Sequence, residues 1–106
     1  MGEAPTISTH VLDTERGQPA AGIKVALQRI EGAAERLVGS GTTDDDGRIR
    51  RLLDGTLEPG DYRIEFAVDG PFFGHAALTF HVSDATRSYH VPLLLAPYSL
   101  TSYRGS

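Results

Sequence analysis

The chain has 106 residues, 40% of them hydrophobic and 23% charged, which predicts one globular domain, residues 1–106, large enough to bury a core. It contains no cysteine, which excludes a disulfide framework and thiolate chemistry and favours a reducing compartment, so we expect a cytoplasmic protein. The formal net charge of -4 and the scattered arginines argue against nucleic acid as a partner, and the absence of an apolar run near the roughly 20 residues that span a bilayer argues against a membrane. The opening residues 1–6 fit the loose myristoylation pattern, which we interpret as coincidence because no polybasic signal accompanies it.

Large apolar residues alternate with other residues along several short segments, which is the period of a β-strand. Turn residues separate these segments at 16–19, 44–47, 58–61 and 69–71. The pattern predicts an all-β fold, a two-sheet β-sandwich, and the one stretch of helical composition, 31–37, is too short and glycine-interrupted for a helix. In chain order the predicted strands lie around 7–11, 23–27, 62–68, 78–82 and 89–95.

Strand parity gives a direction to two of the four histidines. In the first strand Ile7, Thr9 and Val11 share the core face, so His10 points away from it. In the last strand His90 points away from the core together with Pro92, Leu94 and Ala96, while Tyr89, Val91, Leu93 and Leu95 face it. A strand that is apolar on both faces has to be covered on both, so we expect a second subunit over Leu94 and Ala96.

The remaining polar candidates have simpler interpretations. His75 looks like a strand-start residue, and His81 alternates with polar neighbours, so we expect both on the surface. None of the histidines forms a short-spaced pair with a second histidine or an acidic residue, so we expect no metal site and no cofactor. Arg48 follows Asp46-Gly47 and can be interpreted as a charged residue at a turn exit.

Residues 17–66 carry a pattern of their own. The pattern is Gly-x-Pro-x-x-Gly, an alternating strand, Thr-Asp-x-Asp-Gly-Arg and Pro-Gly-x-Tyr-x-Ile. It resembles the prealbumin-like accessory sandwiches of carboxypeptidase regulatory domains and surface adhesins. That resemblance implies a structural module without catalysis.

The two ends of the chain carry more specific motifs. These are Thr9-His10-Val11-Leu12-Asp13-Thr14 with Gly17-Gln18-Pro19-Ala20-Ala21-Gly22-Ile23 at one end, and Tyr89-His90-Val91-Pro92-Leu93-Leu94-Leu95-Ala96-Pro97-Tyr98 with Tyr103-Arg104-Gly105-Ser106 at the other. With the Asp46-Gly47-Arg48 turn and Gly60-Asp61-Tyr62-Arg63-Ile64 between them, they resemble the 5-hydroxyisourate hydrolases, the transthyretin-related enzymes of urate breakdown. The resemblance covers nearly the whole chain.

The resemblance implies a transthyretin-like β-sandwich that assembles into a homotetramer with a channel between dimers. It implies hydrolysis of 5-hydroxyisourate to 2-oxo-4-hydroxy-4-carboxy-5-ureidoimidazoline. The active-site residues that it implies are His10, Arg48, His90 and the terminal tetrapeptide Tyr103, Arg104, Gly105 and Ser106.

The residue types suit that chemistry. Hydrolysis of a cyclic amide needs a base for the water and donors for the developing oxyanion, and we assign the acid and base roles to His10 and His90 without deciding between them. Arg48 and Arg104 offer planar forks for an oxygen-rich ring. Ser106 would orient a histidine or the water through its hydroxyl or its free carboxylate, and Gly105 would permit a tight turn. The alternative is a transthyretin-like carrier that binds a small ligand in the same channel without turnover.

The sequence departs from the family pattern at three places. Residues 70–74 close the gap after the strand ending at Val68-Asp69 directly, so the short helix of the family looks deleted. Ala96 stands where the family has serine, and residues 99–102 differ from the family's Gly-Tyr-Ser-Thr. We expect these departures to affect stability and channel shape more than the reaction type.

Overall fold

Two sheets face each other in the computed structural model, which describes residues 3–106. Met1 and Gly2, the start of both the predicted domain and the loose myristoylation pattern, lie outside the described residues. One buried apolar cluster fills the space between the sheets and draws on both. The strands are β1 Ile7–Asp13, β2 Gln18–Pro19, β3 Lys24–Glu31, β4 Ala34–Thr42, β5 Arg48–Ile49, β6 Gly60–Ala67, β7 His75–Val82, β8 Tyr89–His90, β9 Leu93–Ala96 and β10 Ser99–Ser102.

The four-stranded sheet has the order β4-β3-β6-β7 and is antiparallel throughout. Tyr62, Ile64 and Phe66 of β6 are at most 1% exposed, which confirms the alternation predicted from the sequence. β3 and β4 are joined through Gly32, whose φ of 64° suits a two-residue hairpin. The stretch of helical composition, 31–37, is therefore the end of one strand and the beginning of the next.

The second sheet is built around β1. β9 pairs with β1 in parallel and β2 pairs with it antiparallel, while β5 and β8 also pair with β1 farther towards its start. Ile7, Thr9 and Val11 are at most 1% exposed and face the other sheet. Because side chains alternate along a strand, Ser8 and His10 lie on the outer face of this sheet, as parity predicted for His10.

The predicted last strand is interrupted. It consists of β8 and β9, separated by Val91 and Pro92, and both of these residues are buried together with Leu93, so the strict alternation expected here fails. Proline lacks the N–H that a ladder requires. The carbonyl oxygens at the break accept hydrogen bonds from side-chain hydroxyls instead. Thr9 Oγ1 donates to Val91 O at 2.7 Å, and Ser102 Oγ donates to Pro92 O at 2.8 Å.

A tight loop joins β6 to β7, and the described residues contain no helix, which confirms the deletion. The Asp69 N–H donates to Gly74 O at 3.0 Å and the Gly70 N–H donates to Phe73 O at 2.9 Å. Asp69 adopts a φ of 49°, a left-handed conformation that aspartate tolerates better than most residues. Within residues 3–106, accordingly, no helix has the length and apolar character needed to cross a membrane.

Candidate active site

Two cross-strand pairs on the outer face of β1 bring together residues that are distant in the sequence. His10 is in register with Arg48 of β5, and Ser8 is in register with His90 of β8. In an antiparallel pair such as β1 and β5, residues directly opposite each other have Cα atoms about 4.5–5.5 Å apart, and the Ser8 and His90 side chains of the parallel pair are in contact. The structure therefore brings His10, Arg48 and His90 to one sheet face, and adds Ser8, which the sequence analysis missed.

The turn before β5 fixes the backbone of Arg48. The Asp44 Oδ1 accepts hydrogen bonds from the N–H groups of Asp46 and Arg48, both at 2.9 Å. The hydrogen bond from Arg48 is the main cause that holds the pKa of the Asp44 carboxyl below its usual value. Gly47 has a φ of 74°, and a Cβ there would overlap the carbonyl oxygen of Val11. The backbone of Arg48 is thus held in place by the turn that precedes it.

His90 is held in a partly buried position. Its Nδ1 lies 2.8 Å from Ser8 Oγ. Burial, and after it the positive charge of Arg48 and the nearby His10, lowers the pKa of His90 from its usual value. The neutral imidazole is therefore favoured at neutral pH, which is the form that accepts a proton.

The chain end lies against His90. The Gly105 N–H donates to His90 O at 2.8 Å. A Cβ at position 105 would overlap the His90 ring, whose Cγ would be 3.1 Å away. The φ of Gly105 is not positive, so glycine is needed here for its close approach to His90 and not for a left-handed conformation. Ser106 follows and is exposed.

The other two residues of the tetrapeptide lie in a different groove. The Arg104 guanidinium carbon is 4.3 Å from the centroid of the Tyr89 ring, a cation–π distance. The Tyr89 hydroxyl accepts hydrogen bonds from the N–H groups of Ser83 and Asp84 at 3.1 and 3.0 Å. Tyr103 and Arg104 line this groove, whereas Arg48 and His90 line the cavity described next.

A cavity of about 310 Å³ lies beside His90, and its charged lining consists of three arginines and one carboxylate, that of Glu3. Ser8, Arg48, Arg50, Arg51 and His90 contribute to its wall. Arg51 donates to a Glu3 carboxylate oxygen at 2.9 Å, and that ion pair is exposed. The volume and the arginines suit a small, oxygen-rich molecule.

The remaining two histidines lie elsewhere. His75 begins β7 and is exposed, as expected. The His81 side chain is 82% exposed, and its Nδ1 lies 2.6 Å from Asp61 Oδ1 on the neighbouring strand, an acidic contact that sequence spacing did not reveal. Within residues 3–106 no group of three or more histidine, aspartate or glutamate side chains is arranged to hold a metal ion.

The sandwich and its outer-face site define a transthyretin-like protein. The sequence profile of the HIUase/Transthyretin family matches residues 7–105, and the chain belongs to that family. It is 40% identical to the 5-hydroxyisourate hydrolase of Deinococcus radiodurans over the full length of both chains, in an alignment of 119 positions that is longer than the 106 residues here.

Two solved structures show the same fold. The 5-hydroxyisourate hydrolase of Klebsiella pneumoniae superposes with a TM-score of 0.84 at 31% identity and covers 96% of this chain and 99% of its own. Sea bream transthyretin in complex with thyroxine gives a TM-score of 0.85 at 26% identity and covers 92% of each chain. The fold is therefore shared by an enzyme and by a ligand-binding protein.

We expect the pKa of His90, followed through its ring protons by NMR, to lie below the usual value of about 6.5. Arg48→Gln should raise this pKa because it removes a positive charge that disfavours the imidazolium. Since the unfolded chain binds the proton at higher pH than the native one, His90 should make unfolding easier as the pH falls through about 6.5.

Arg36→Gln is the matched control for this titration, because Arg36 pairs with Glu31 on the other sheet. It should leave the His90 titration unchanged. A His90 pKa at or above about 6.5 would contradict the burial and charge described here.

Proposed function

We propose that this chain hydrolyses 5-hydroxyisourate to 2-oxo-4-hydroxy-4-carboxy-5-ureidoimidazoline in urate degradation. One observation carries the proposal: His10, Arg48 and His90 converge on one sheet face, with the chain end against His90. The full-length similarity to the Deinococcus radiodurans hydrolase supports it. The lack of cysteine supports a reducing compartment, and we propose the cytoplasm.

In the proposed reaction water opens the ring without a covalent intermediate. The water oxygen bonds to a ring carbonyl carbon, one water proton moves to a base, and the carbon–nitrogen bond breaks as the nitrogen gains a proton. We assign His90 as the base, because its lowered pKa keeps it neutral near pH 7. His10 completes the acid/base pair by protonating the leaving nitrogen.

Charge on the carbonyl oxygen grows as the water attacks. Arg48 lines the same cavity as His90, and we assign its guanidinium to hold the oxygen-rich ring and this developing charge. A guanidinium binds oxygens with two parallel hydrogen bonds, which also fixes the plane of the ligand. Arg50 extends the same cationic wall.

We propose that the terminal tetrapeptide completes the site. The Gly105 N–H donates a hydrogen bond to the carbonyl oxygen of His90, so the next residue, Ser106, is held near the site. This supports Ser106 as the group that orients the water or a histidine. Arg104 stacks on Tyr89 in the neighbouring groove. We propose that it contacts the substrate where this groove joins the cavity in the assembled tetramer. Tyr103 lines that groove as well.

An ultraviolet assay tests the reaction directly. Urate oxidase generates 5-hydroxyisourate from urate, and added protein should accelerate the decay of its absorbance in proportion to protein concentration. A carrier of the transthyretin type would bind the compound without accelerating the decay. Decay at the uncatalysed rate would exclude the hydrolase.

His90→Ala should lower kcat/KM by about 10² to 10⁴ while the fold persists, because it removes a positioned base that points away from the core. His10→Ala should act alike, and the double variant should be scarcely worse than either single one if the two work as a unit. His75→Ala, at the exposed start of β7, is the matched control. Near-normal turnover by folded His90→Ala protein would remove this residue from the mechanism.

Gly105→Ala should lower kcat by up to about 10²-fold, because the added methyl group displaces the His90 ring without changing its chemistry. Gly74→Ala is the matched control, since a Cβ there meets no atom within 4 Å. Both variants are compared by steady-state kinetics and by circular dichroism. Wild-type kinetics for Gly105→Ala would show that the ring position does not limit the reaction.

We propose that the chain assembles into a homotetramer. Two features support this: β7 and β10 are edge strands in their sheets, and the outer face that carries His10 and His90 also carries the half-buried Leu94. A second dimer over this face would close the cationic cavity from bulk water. Closure strengthens the electrostatic interactions on which the reaction depends.

Leu94→Arg should split the assembly and lower activity together, because it places an unpaired charge where the partner packs. Light scattering after size exclusion gives the mass of each variant at micromolar concentration. Leu37→Arg, at a side chain 61% exposed on the other sheet, is the matched control and should leave the mass unchanged. A monomeric wild-type protein would contradict the assembly.

A further inference from the structure

The imidazole ring of His90 has a close neighbour on each of its two edges. Ser8 Oγ lies 2.8 Å from Nδ1, and the backbone of Gly105 lies against the opposite edge, at Cδ2. His90 lines the cavity, and Nε2 is the ring nitrogen that neither of these contacts engages. A rotation of the ring by 180° would turn a carbon towards the Ser8 hydroxyl and break the hydrogen bond.

Ser8 is itself rigidly placed. The Val91 N–H donates to Ser8 O at 2.9 Å and the Tyr89 N–H donates to Thr6 O at 2.9 Å, so backbone hydrogen bonds bracket the contact on both sides. The flanking Thr9 is 1% exposed, and its hydroxyl donates to Val91 O. The backbone that carries the Ser8 hydroxyl is therefore held beside the imidazole by hydrogen bonds on both sides.

The hydrogen bond admits two neutral tautomers. Either Nδ1–H donates to Ser8 Oγ and Nε2 carries a lone pair, or the Ser8 hydroxyl donates to Nδ1 and Nε2 carries the proton. Arg48 lines the same cavity as His90. A guanidinium on the Nε2 side of the ring would attract a lone pair on that nitrogen and repel an N–H, which favours the first tautomer.

We propose that Ser8 is a positioning residue that holds His90 in the Nδ1–H tautomer, so that Nε2 is an unprotonated acceptor facing the cavity. This inference rests on the proposed function for its catalytic meaning, since Nε2 would then take the proton of the attacking water. The side-chain state itself is independent of any substrate. Ser8 acts through His90 and touches no reacting atom.

The test is long-range ¹H–¹⁵N NMR of protein labelled in its histidines, which reads the protonation of Nδ1 and Nε2 separately. Wild-type protein above the pKa of His90 should show the Nδ1–H pattern. Ser8→Ala should shift His90 towards Nε2–H, the form that free imidazole side chains favour in water, and should lower kcat on the order of tenfold or more. Ser8→Thr keeps a hydroxyl on Cβ and should restore both readouts.

Ser102→Ala is the matched control, because it removes a hydroxyl that donates to Pro92 O without touching His90. It should leave the His90 signals as in the wild type. An Nε2–H pattern in the wild type, or an unchanged pattern in folded Ser8→Ala protein, would overturn the proposal. A wild-type protein that shows the Nδ1–H pattern but does not hydrolyse 5-hydroxyisourate would refute the proposed function and leave the role of Ser8 intact.

Discussion

The alternation of side chains along β1 is the constraint on which the rest of the structure depends. Ile7, Thr9 and Val11 enter the core, and the same backbone period forces Ser8 and His10 onto the opposite face. A slip of one residue in register would exchange the two sets, burying a histidine and exposing three core side chains. The hydrophobic effect that anchors the inner face therefore also fixes the geometry of the outer one.

The candidate site is assembled by contacts between distant parts of the chain. The hydrogen bond between Ser8 and His90 spans 82 positions, and Gly105 joins the same place from the end of the chain. No local segment contains the site, so it forms only when β1, β5 and β8 have paired. The stability of the arrangement is consequently that of the whole sandwich, unlike that of a site built on a surface loop.

The sequence predicted those features that depend on local period and turn chemistry, including the all-β fold and the outward directions of His10 and His90. The missing helix was predicted from the resemblance to the family, as a departure from its pattern. The sequence did not predict contacts that depend on which strands become neighbours. Ser8 is a short polar residue beside a histidine 82 positions away, and only the parallel register of β1 and β8 brings them together. The direction of the Arg104 side chain could not be predicted either, because its stacking on Tyr89 is a tertiary contact. The interruption between β8 and β9 at Pro92 could have been predicted from the sequence, because proline has no N–H to donate to a β-sheet hydrogen bond.

The charge distribution explains how an acidic chain can recognise an oxygen-rich ligand. The formal net charge is -4, yet the cavity beside His90 is lined by Arg48, Arg50 and Arg51. Arg51 is paired there with Glu3, which lines the same cavity. Because salt screens exposed charges beyond roughly 8–10 Å, a ligand in the cavity responds to these lining charges more than to the carboxylates elsewhere on the surface. The same positive field, together with burial, disfavours the imidazolium of His90. One local arrangement thus attracts electron-rich oxygens and favours the neutral form of the adjacent imidazole, and the proposed general-base attack depends on both effects.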